Sequence, residues 1–456
     1  MQQEKKGDYS TIPIPTKLIT PLGFLSMTVV VFAPFNAYRI PLSSLLTLST
    51  SKIFQAGALL LLFAHLTISA KASKRFNCFL SKYNSITLSY LLMLTIFTLM
   101  LIRSYSPSYG LKIMALSTVV VSMSFSIAYW ARCPKRLIFT INTLLVSSIF
   151  VSGFAIYQLV HFRVYGEIPS APFLQYLPLP HEDSQLHRAF MWYIPGVIPR
   201  VMSVMTEPNS LGHYLAIVLF TSIWLLKYRT SLGLNRKTRT LALLTIAISL
   251  IPFAMTFSRS GWLTFILGLG ILSIDLRPQS MIRTAILVVA SVTTIAITSA
   301  AIPELREALS QRVTLSETSG HVEVRLQALT FFSESPILGI GFGNYGILTG
   351  GPFGVSSTHS YYVTYLVEGG ILGGLAFLTF ISSLSLIFIK KTNGKLSKNP
   401  YWILGFGIAL ATGFNNIFYH TFWLETTWIS IGISLAAFYI FSCQKNKINK
   451  TWPKPQ

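Results

Sequence analysis

The chain is poor in carboxylates and has no arrangement of them that fits a metal site. Aspartate and glutamate number 14 against 36 lysines and arginines, and the three aspartates are Asp8, Asp183 and Asp275. No Asp-x-Asp pair occurs, and Glu182–Asp183 is the sole acidic doublet. Transferases that use Mg²⁺ or Mn²⁺ place carboxylates around the substrate phosphates. The sequence therefore predicts chemistry without a metal.

Cysteine is also scarce, and the motifs of common cofactor sites are missing. The three cysteines are Cys78, Cys133 and Cys443, and all fall on the side of the membrane assigned below to the cytoplasm. A disulfide framework in the outer loops is therefore excluded. No Cys/His cluster has zinc spacing, and neither a P-loop nor a dinucleotide-binding glycine motif is present. We expect no cofactor.

Charged residues make up only 11% of the chain and hydrophobic residues 52%, whereas a soluble domain carries roughly 25% charged residues. Apolar runs of membrane-spanning length recur throughout. The sequence predicts an all-α polytopic membrane protein, with residues 1–456 as a single integral membrane domain. About twelve spans are predicted near residues 18–36, 52–70, 85–102, 112–131, 137–160, 209–226, 240–257, 261–275, 284–302, 360–389, 401–419 and 422–443. The eighth is short and rich in glycine, so a broken or tilted helix is expected there.

The net charge of +22 is explained by topology. With both termini in the cytoplasm, most lysines and arginines fall in inner loops, as the positive-inside rule requires. The excess also attracts anionic membrane lipids. No compact basic module is present, so a nucleic-acid partner is not expected.

Two outer segments are longer than ordinary connections, at about 161–208 and 303–358. Long loops in compact proteins are usually functional. Both contain proline, glycine and aromatic residues, which predicts partial order, and Pro303–Arg312 is amphipathic enough to lie on the membrane surface.

The stretch THSYYVTYLVEGGILGG, residues 358–374, pairs a histidine with the start of a membrane helix. Thr358 is expected to cap this helix, which places His359 in the first turn. The positive end of the helix dipole favours a neutral imidazole, the form that accepts a proton. Its glycines predict close approach by another helix. The alternative is that His359 is only an interfacial polar residue at the end of a span.

Three arginines on the outer side stand in distinctive contexts: Arg200, Arg259 and Arg325. An arginine within the membrane costs roughly 2.5–3.5 kcal/mol on insertion scales. Arg259 is predicted at the outer end of the seventh span, where it either anchors the interface by extending to the surface or binds an anionic ligand. Guanidinium groups bind phosphate oxygens with two parallel hydrogen bonds and stay charged.

Four further polar residues are candidates for supporting roles. Glu207 and Asn209 open the sixth span around a proline, and helix capping is the simpler explanation for them. Ser360 follows the histidine. Glu368 lies nearly three turns into the histidine helix and is expected to face protein or a cavity, where pairing with an arginine would suffice to explain it.

Together these residues predict a site on the outer face with one histidine, several arginines and no metal ligands. Such a site suits a diphosphate leaving group held by arginines, with the histidine taking a proton from an incoming hydroxyl. The many membrane spans favour a diphosphate carried on a lipid.

Four motifs resemble those of the O-antigen ligase and polymerase superfamily over about residues 195–390. They are His359-Ser360-x9-Gly370-x2-Gly373, TFSRSGWL with Arg259, RVMSVMTEPNSLGHYLA with Arg200, and RLQALTFFSESPILGIGFGNYG with Arg325. The resemblance implies a C-type membrane glycosyltransferase of the bacterial inner membrane. Such an enzyme takes a glycan from undecaprenyl diphosphate on the periplasmic face, without a metal.

The resemblance also implies roles. His359 acts as the base, Arg200 and Arg259 bind the diphosphate, and Arg325 binds phosphate or acceptor. A ligase, which serves lipopolysaccharide biosynthesis, has the lipid A core as acceptor, whereas a polymerase uses a second lipid-linked glycan. The histidine motif favours a ligase, and the long first outer loop leaves a polymerase open. A transporter of lipid-linked glycans and a non-catalytic assembly subunit are the remaining alternatives.

Overall fold

The structure, a computed structural model, consists of long helices and one short antiparallel hairpin. It describes residues 16–34, 39–43, 46–49, 55–57, 59–63, 67, 70–165, 200–205, 207–274, 321–349, 358–394, 396–418 and 424–451. The hairpin joins β1 (Arg39–Ser43) to β2 (Leu46–Ser49) and was not predicted.

The described helices follow one another with short connections in the second half of the chain. They are α1 (Thr16–Phe32), α2 (Ala70–Leu80), α3 (Asn84–Met100), α4 (Pro107–Trp130), α5 (Pro134–Tyr165), α6 (Pro208–Lys227), α7 (Arg236–Met255), α8 (Arg259–Ser273), α9 (His321–Glu334), α10 (Asn344–Leu348), α11 (Tyr361–Lys391), α12 (Pro400–Phe418) and α13 (Glu425–Thr451).

The predicted all-α polytopic architecture is confirmed. Among the described residues, eight helical segments are long and apolar enough to cross a membrane, and two shorter apolar helices accompany them. These ten coincide with ten of the twelve predicted spans. The spans near 284–302 and, for the most part, 52–70 lie outside the described residues, as does the amphipathic Pro303–Arg312, so the number twelve stays a prediction.

Two helices form the centre of the bundle. In the most apolar window of α6, 83% of residues are buried, and in that of α13 89%, against 33% in α7. Helix α6 packs against α5, α7, α8 and α12, and α13 packs against α4 and α12. A helix that is apolar all round belongs inside a bundle, which leaves α7 to face lipid on one side.

The eighth predicted span is neither broken nor short of a turn, contrary to expectation. It is the continuous helix α8, and its glycines serve contacts with α6. A Cβ added at Gly261 would lie 2.8 Å from the carbonyl carbon of Gly212, and one added at Gly268 would lie 2.8 Å from the ring of Phe220. Small residues let two backbones approach closely, so these glycines fix the start of α8 against the start of α6.

Helix α11 is interrupted about one-third of the way along, at Gly370, where φ is 62° and ψ is −161°. The segment between α9 and α10 fills the interruption. The amides of Ile340 and Gly341 donate to the carbonyls of Val367 and Glu368, each at 3.0 Å. Backbone groups freed by the break thus find partners from another segment, as buried backbone requires.

The carboxylate of Glu368 completes this docking. Its Oε1 accepts a hydrogen bond from the amide of Tyr345 at 3.2 Å, and the amide of Gly343 donates to the same side chain. Glu368 therefore faces protein, as expected, but its role is to cap the N-terminus of α10. Capping by a carboxylate is favourable at a helix N-terminus.

The glycines of α11 divide between two roles. A Cβ added at Gly369 or Gly373 would contact the Phe97 ring of α3 at 3.6 or 3.5 Å, which confirms the predicted approach of another helix. Gly370 permits the interruption, and Gly374 faces Leu366 of its own helix.

Replacing Gly339 by alanine is expected to cost about 3 kcal/mol or more of stability. Its φ of +68° disfavours a side chain by about 1–2 kcal/mol, and the added Cβ would overlap the backbone of Glu368 and Gly370, adding about 1–3 kcal/mol of overpacking. Gly233→Ala is the matched control, because its φ is +61° and nothing lies within 4 Å of the added Cβ. Thermal unfolding in detergent measures both, and equal losses would show that the docking at Gly339 contributes nothing.

Candidate active site

Arg200 is held between the end of α7 and the start of α6. Its Nε donates to the carbonyl of Thr256 at 2.8 Å, and its Nη2 donates to Oδ1 of Asn209 at 2.7 Å. The amide of Val201 donates to the carbonyl of Met255 at 3.2 Å, which aligns the chain on this corner. The half-buried guanidinium is thus fixed in direction, and Asn209 orients it as a supporting residue.

Glu207 is the N-cap residue of α6, as predicted, and its carbonyl accepts the amide of Leu211. The expected side-chain cap is absent, because the carboxylate makes no capping hydrogen bond. Burial raises the pKa of Glu207 to about 7, and the positive charge of Arg200 opposes that rise. The carboxyl is therefore poised to change charge near neutral pH beside Arg200.

Glu207→Gln is expected to remove a pH dependence of stability. A carboxyl whose pKa rises on folding binds more protons when folded, so stability falls as pH rises from about 4.5 to about 7. The variant should gain melting temperature relative to the wild type at pH 8 but not at pH 4.5. Glu334→Gln, an exposed carboxylate on α9, is the control. An equal difference at both pH values would contradict the expected charge change.

Arg259 is the first residue of α8, one helix further on than the predicted end of the seventh span. Ser258 is the N-cap, and its Oγ accepts the amide of Gly261 at 3.2 Å. The reason for the difference is that Phe257, with φ of +48°, turns the chain before the arginine. Arg259 is exposed and lies three residues after Thr256, which holds Arg200. A cation in this position adds to the positive end of the helix dipole.

His359 does not lie in the first turn of α11, contrary to expectation. The helix begins at Tyr361 with the buried Ser360 as N-cap residue, and His359 precedes it in a left-handed conformation with φ of +55°. Thr358 does not cap the helix from its start but supports the turn. Its hydroxyl accepts the amide of Ser360 at 3.2 Å and lies 2.7 Å from the hydroxyl of Thr364.

Arg325 on α9 reaches the histidine turn. Its Nη2 lies 3.2 Å from the carbonyl of His359 and 3.4 Å from that of Ile417, and its Nε lies 3.4 Å from the carbonyl of Thr358. Burial lowers the pKa of Arg325, although a guanidinium stays charged. Its expected contact with phosphate or acceptor stays a prediction.

The outer half of α12 connects the two groups of residues. Thr264 of α8 donates to Asn415 at 3.4 Å, and Tyr362 of α11 donates to the carbonyl of Gly413 at 3.0 Å. Arg325 reaches Ile417 on the same part of α12. Helix α8, which begins with Arg259, and helix α11, which follows His359, are thus both attached to one short stretch of α12.

Sequence reasoning overlooked His213, which is buried in α6 one residue after Gly212. Neither ring nitrogen has a hydrogen-bond partner in the described part of the chain. An ionisable residue within a membrane span is the signal that could have drawn attention to it. Among the described residues no three His, Cys, Asp or Glu side chains converge as metal ligands, and the metal-free chemistry stays a prediction.

Residues 241–378 match the O-antigen ligase family (Wzy_C). The match confirms the resemblance of the chain to the O-antigen ligase and polymerase superfamily. It begins in α7 and includes Arg259, Arg325, His359 and the interruption of α11, whereas Arg200, Glu207 and Asn209 precede it. No curated protein matches the chain.

Proposed function

Since residues 241–378 identify an O-antigen ligase or polymerase-type membrane glycosyltransferase, we propose that this chain acts as a ligase. It transfers a glycan from undecaprenyl diphosphate to a hydroxyl of the lipid A core. Transfer takes place on the periplasmic face of the bacterial inner membrane, with both termini in the cytoplasm. No metal takes part.

The observation that carries this proposal is the meeting of Arg200, Arg259 and His359 around the outer ends of α6, α8, α11 and α12. The lysines at the far ends of α6 and α11, Lys227 and Lys391, lie on the other side of the membrane. By the positive-inside rule, the ends rich in lysine face the cytoplasm. The site therefore opens to the periplasm, where the donor lipid carries its glycan.

The arginines serve the diphosphate. As the bond between the anomeric carbon and the diphosphate oxygen breaks, its electron pair leaves with undecaprenyl diphosphate. Positive groups aimed at this growing charge stabilise the transition state. Arg200 supplies a fixed guanidinium, and Arg259 supplies an exposed one at the positive end of α8. Near neutral pH, protonation of Glu207 lowers the negative charge that faces the same diphosphate.

His359 serves the acceptor. The acceptor hydroxyl oxygen attacks the anomeric carbon and forms the new glycosidic bond, while its proton passes to the imidazole. Attack directly opposite the leaving diphosphate inverts the anomeric centre. Ser360 and Glu368 act indirectly, Ser360 as the N-cap residue of α11 and Glu368 by holding the interrupted helix to α10.

The test is a glycan profile of cells that lack the protein, with lipid A-linked and undecaprenyl-linked material separated. Long chains stranded on undecaprenyl diphosphate beside bare lipid A core support the ligase. Single repeat units on the lipid A core, with no long chains anywhere, would instead identify a polymerase. Glycan that accumulates on the cytoplasmic side, with no turnover by the purified protein in detergent, would identify a transporter.

A further inference from the structure

Arg325 directs its hydrogen bonds to backbone carbonyls of two separate segments. One segment is the histidine turn at Thr358 and His359, and the other is the end of α12 at Ile417. The last carbonyls of a helix lack intrahelical partners, so Ile417 gains a donor that the helix itself does not supply. A single guanidinium thus ties the turn that carries His359 to the helix that contacts α8.

The turn needs such a tie, because His359 has a backbone conformation that its own side chain disfavours. A residue other than glycine at positive φ is strained and persists only when its surroundings hold it. Thr358 and Ser360 hold the turn from within through the hydroxyl-to-amide bond. Arg325 holds it from outside, on the carbonyls that flank the strained residue.

The direction of the imidazole follows from this conformation. The Cα–Cβ bond of His359 points where φ and ψ direct it, and a return to the extended region would turn the ring away from its present position. A displacement of about 1 Å at a reacting group can cost about 100-fold in rate. The conformation of the turn therefore sets whether His359 meets the acceptor hydroxyl.

From these contacts we propose that Arg325 is a positioning residue that acts through His359 and does not bind the diphosphate. This inference rests on the proposed function, because it takes His359 as the base. Its binding energy is used on Thr358, His359 and Ile417, and the diphosphate is left to Arg200 and Arg259.

The test separates donor binding from turnover in the purified full-length protein. Arg325→Gln is expected to lower kcat between about 10- and 100-fold, with the donor KM and the Kd for undecaprenyl diphosphate within about twofold of the wild type. Arg259→Gln in parallel is expected to weaken undecaprenyl diphosphate binding at least about tenfold. Tyr362→Phe is the matched control, because it removes one bond between α11 and α12 without touching the turn. Its kcat should be unchanged.

Hydrogen exchange supplies a readout that does not depend on turnover. In a His359→Asn background, Arg325→Gln is expected to speed amide exchange at residues 358–361 at least about tenfold, with little change in α13. If Arg325→Gln does not insert, Arg325→Lys replaces it, since one ammonium can hold one or two of the three carbonyls and a smaller loss of kcat is expected.

Two results would overturn the inference. One is a loss of undecaprenyl diphosphate binding in Arg325→Gln as large as that in Arg259→Gln. The other is an unchanged exchange rate at residues 358–361. Neither result bears on the proposed function, which fails separately if His359→Ala transfers glycan at the wild-type rate.

Discussion

Replacing His359 by alanine is expected to lower kcat for glycan transfer about 1,000-fold while leaving the fold intact. General-base catalysis contributes about 10²–10⁴ in rate, and a factor of 1,000 corresponds to about 4 kcal/mol of transition-state stabilisation. The side chain is half-buried and lies outside the helices, so its loss opens no core cavity. Transfer of a labelled lipid-linked glycan by the purified variant measures the effect.

Two further variants separate the imidazole from the turn that carries it. Asparagine tolerates the left-handed conformation better than most residues, so His359→Asn keeps the φ of +55° and removes only the base. We expect it to be as inactive as His359→Ala, with a melting temperature equal to that of the wild type. His161→Ala removes a histidine at the outer end of α5, where the ring packs between Tyr157 and Tyr165, and should retain activity. Full activity in His359→Asn would exclude the imidazole as base.

The sequence predicted the helices well because the bilayer sets their length and forbids polar interruption. Spans such as those of α6 and α12 follow from apolar runs of about 20 residues. The positions of the candidate residues at helix ends followed from the same pattern. The family match over residues 241–378 supports the motif that contains His359 and the one that contains Arg259.

The local structure of the site was not predictable, because it depends on contacts between distant segments. The pair Gly369-Gly370 lies in an unbroken apolar run and was interpreted as a small-residue face. Gly370 takes its positive φ because amides some 30 residues earlier, at Ile340 and Gly341, occupy the gap. Likewise, Thr358 looks like a helix cap, yet the turn at His359 is stabilised by an arginine on α9.

Glu368 shows why residue type alone assigned some partners wrongly. A carboxylate inside a membrane span is expected to pair with a cation, and a sequence rich in arginine supplies many. The backbone amides of Gly343 and Tyr345 take that place instead. An N-terminal helix turn is also a positive partner, and it leaves no trace in composition.

Arg259→Gln is expected to weaken donor binding at least about tenfold and to lower kcat a further 10- to 100-fold, about 10²–10³ in kcat/KM. Loss of one charge-stabilising donor costs about 10²–10³ in acyl-transfer sites, and a diphosphate gains more charge as it leaves. Arg200 is a less clean test, because its guanidinium also bonds Thr256 and Asn209 and its loss disturbs the corner between α6 and α7. The exposed Arg259 has no such structural bonds among the described residues.

The control for Arg259 must be an arginine with the same exposure on the same side of the membrane. Arg163 at the end of α5 meets both conditions, so Arg163→Gln changes the net charge of the outer face equally and should leave kcat/KM within about twofold of the wild type. Added salt distinguishes the two further. A general surface attraction weakens within the Debye length of about 8 Å at physiological ionic strength, whereas a guanidinium in contact with the diphosphate is screened less. If Arg163→Gln and Arg259→Gln lose activity alike, and both losses vanish at 0.5 M salt (about 4 Å of screening), then Arg259 only attracts the donor to the surface and the stabilisation of the leaving diphosphate falls to Arg200.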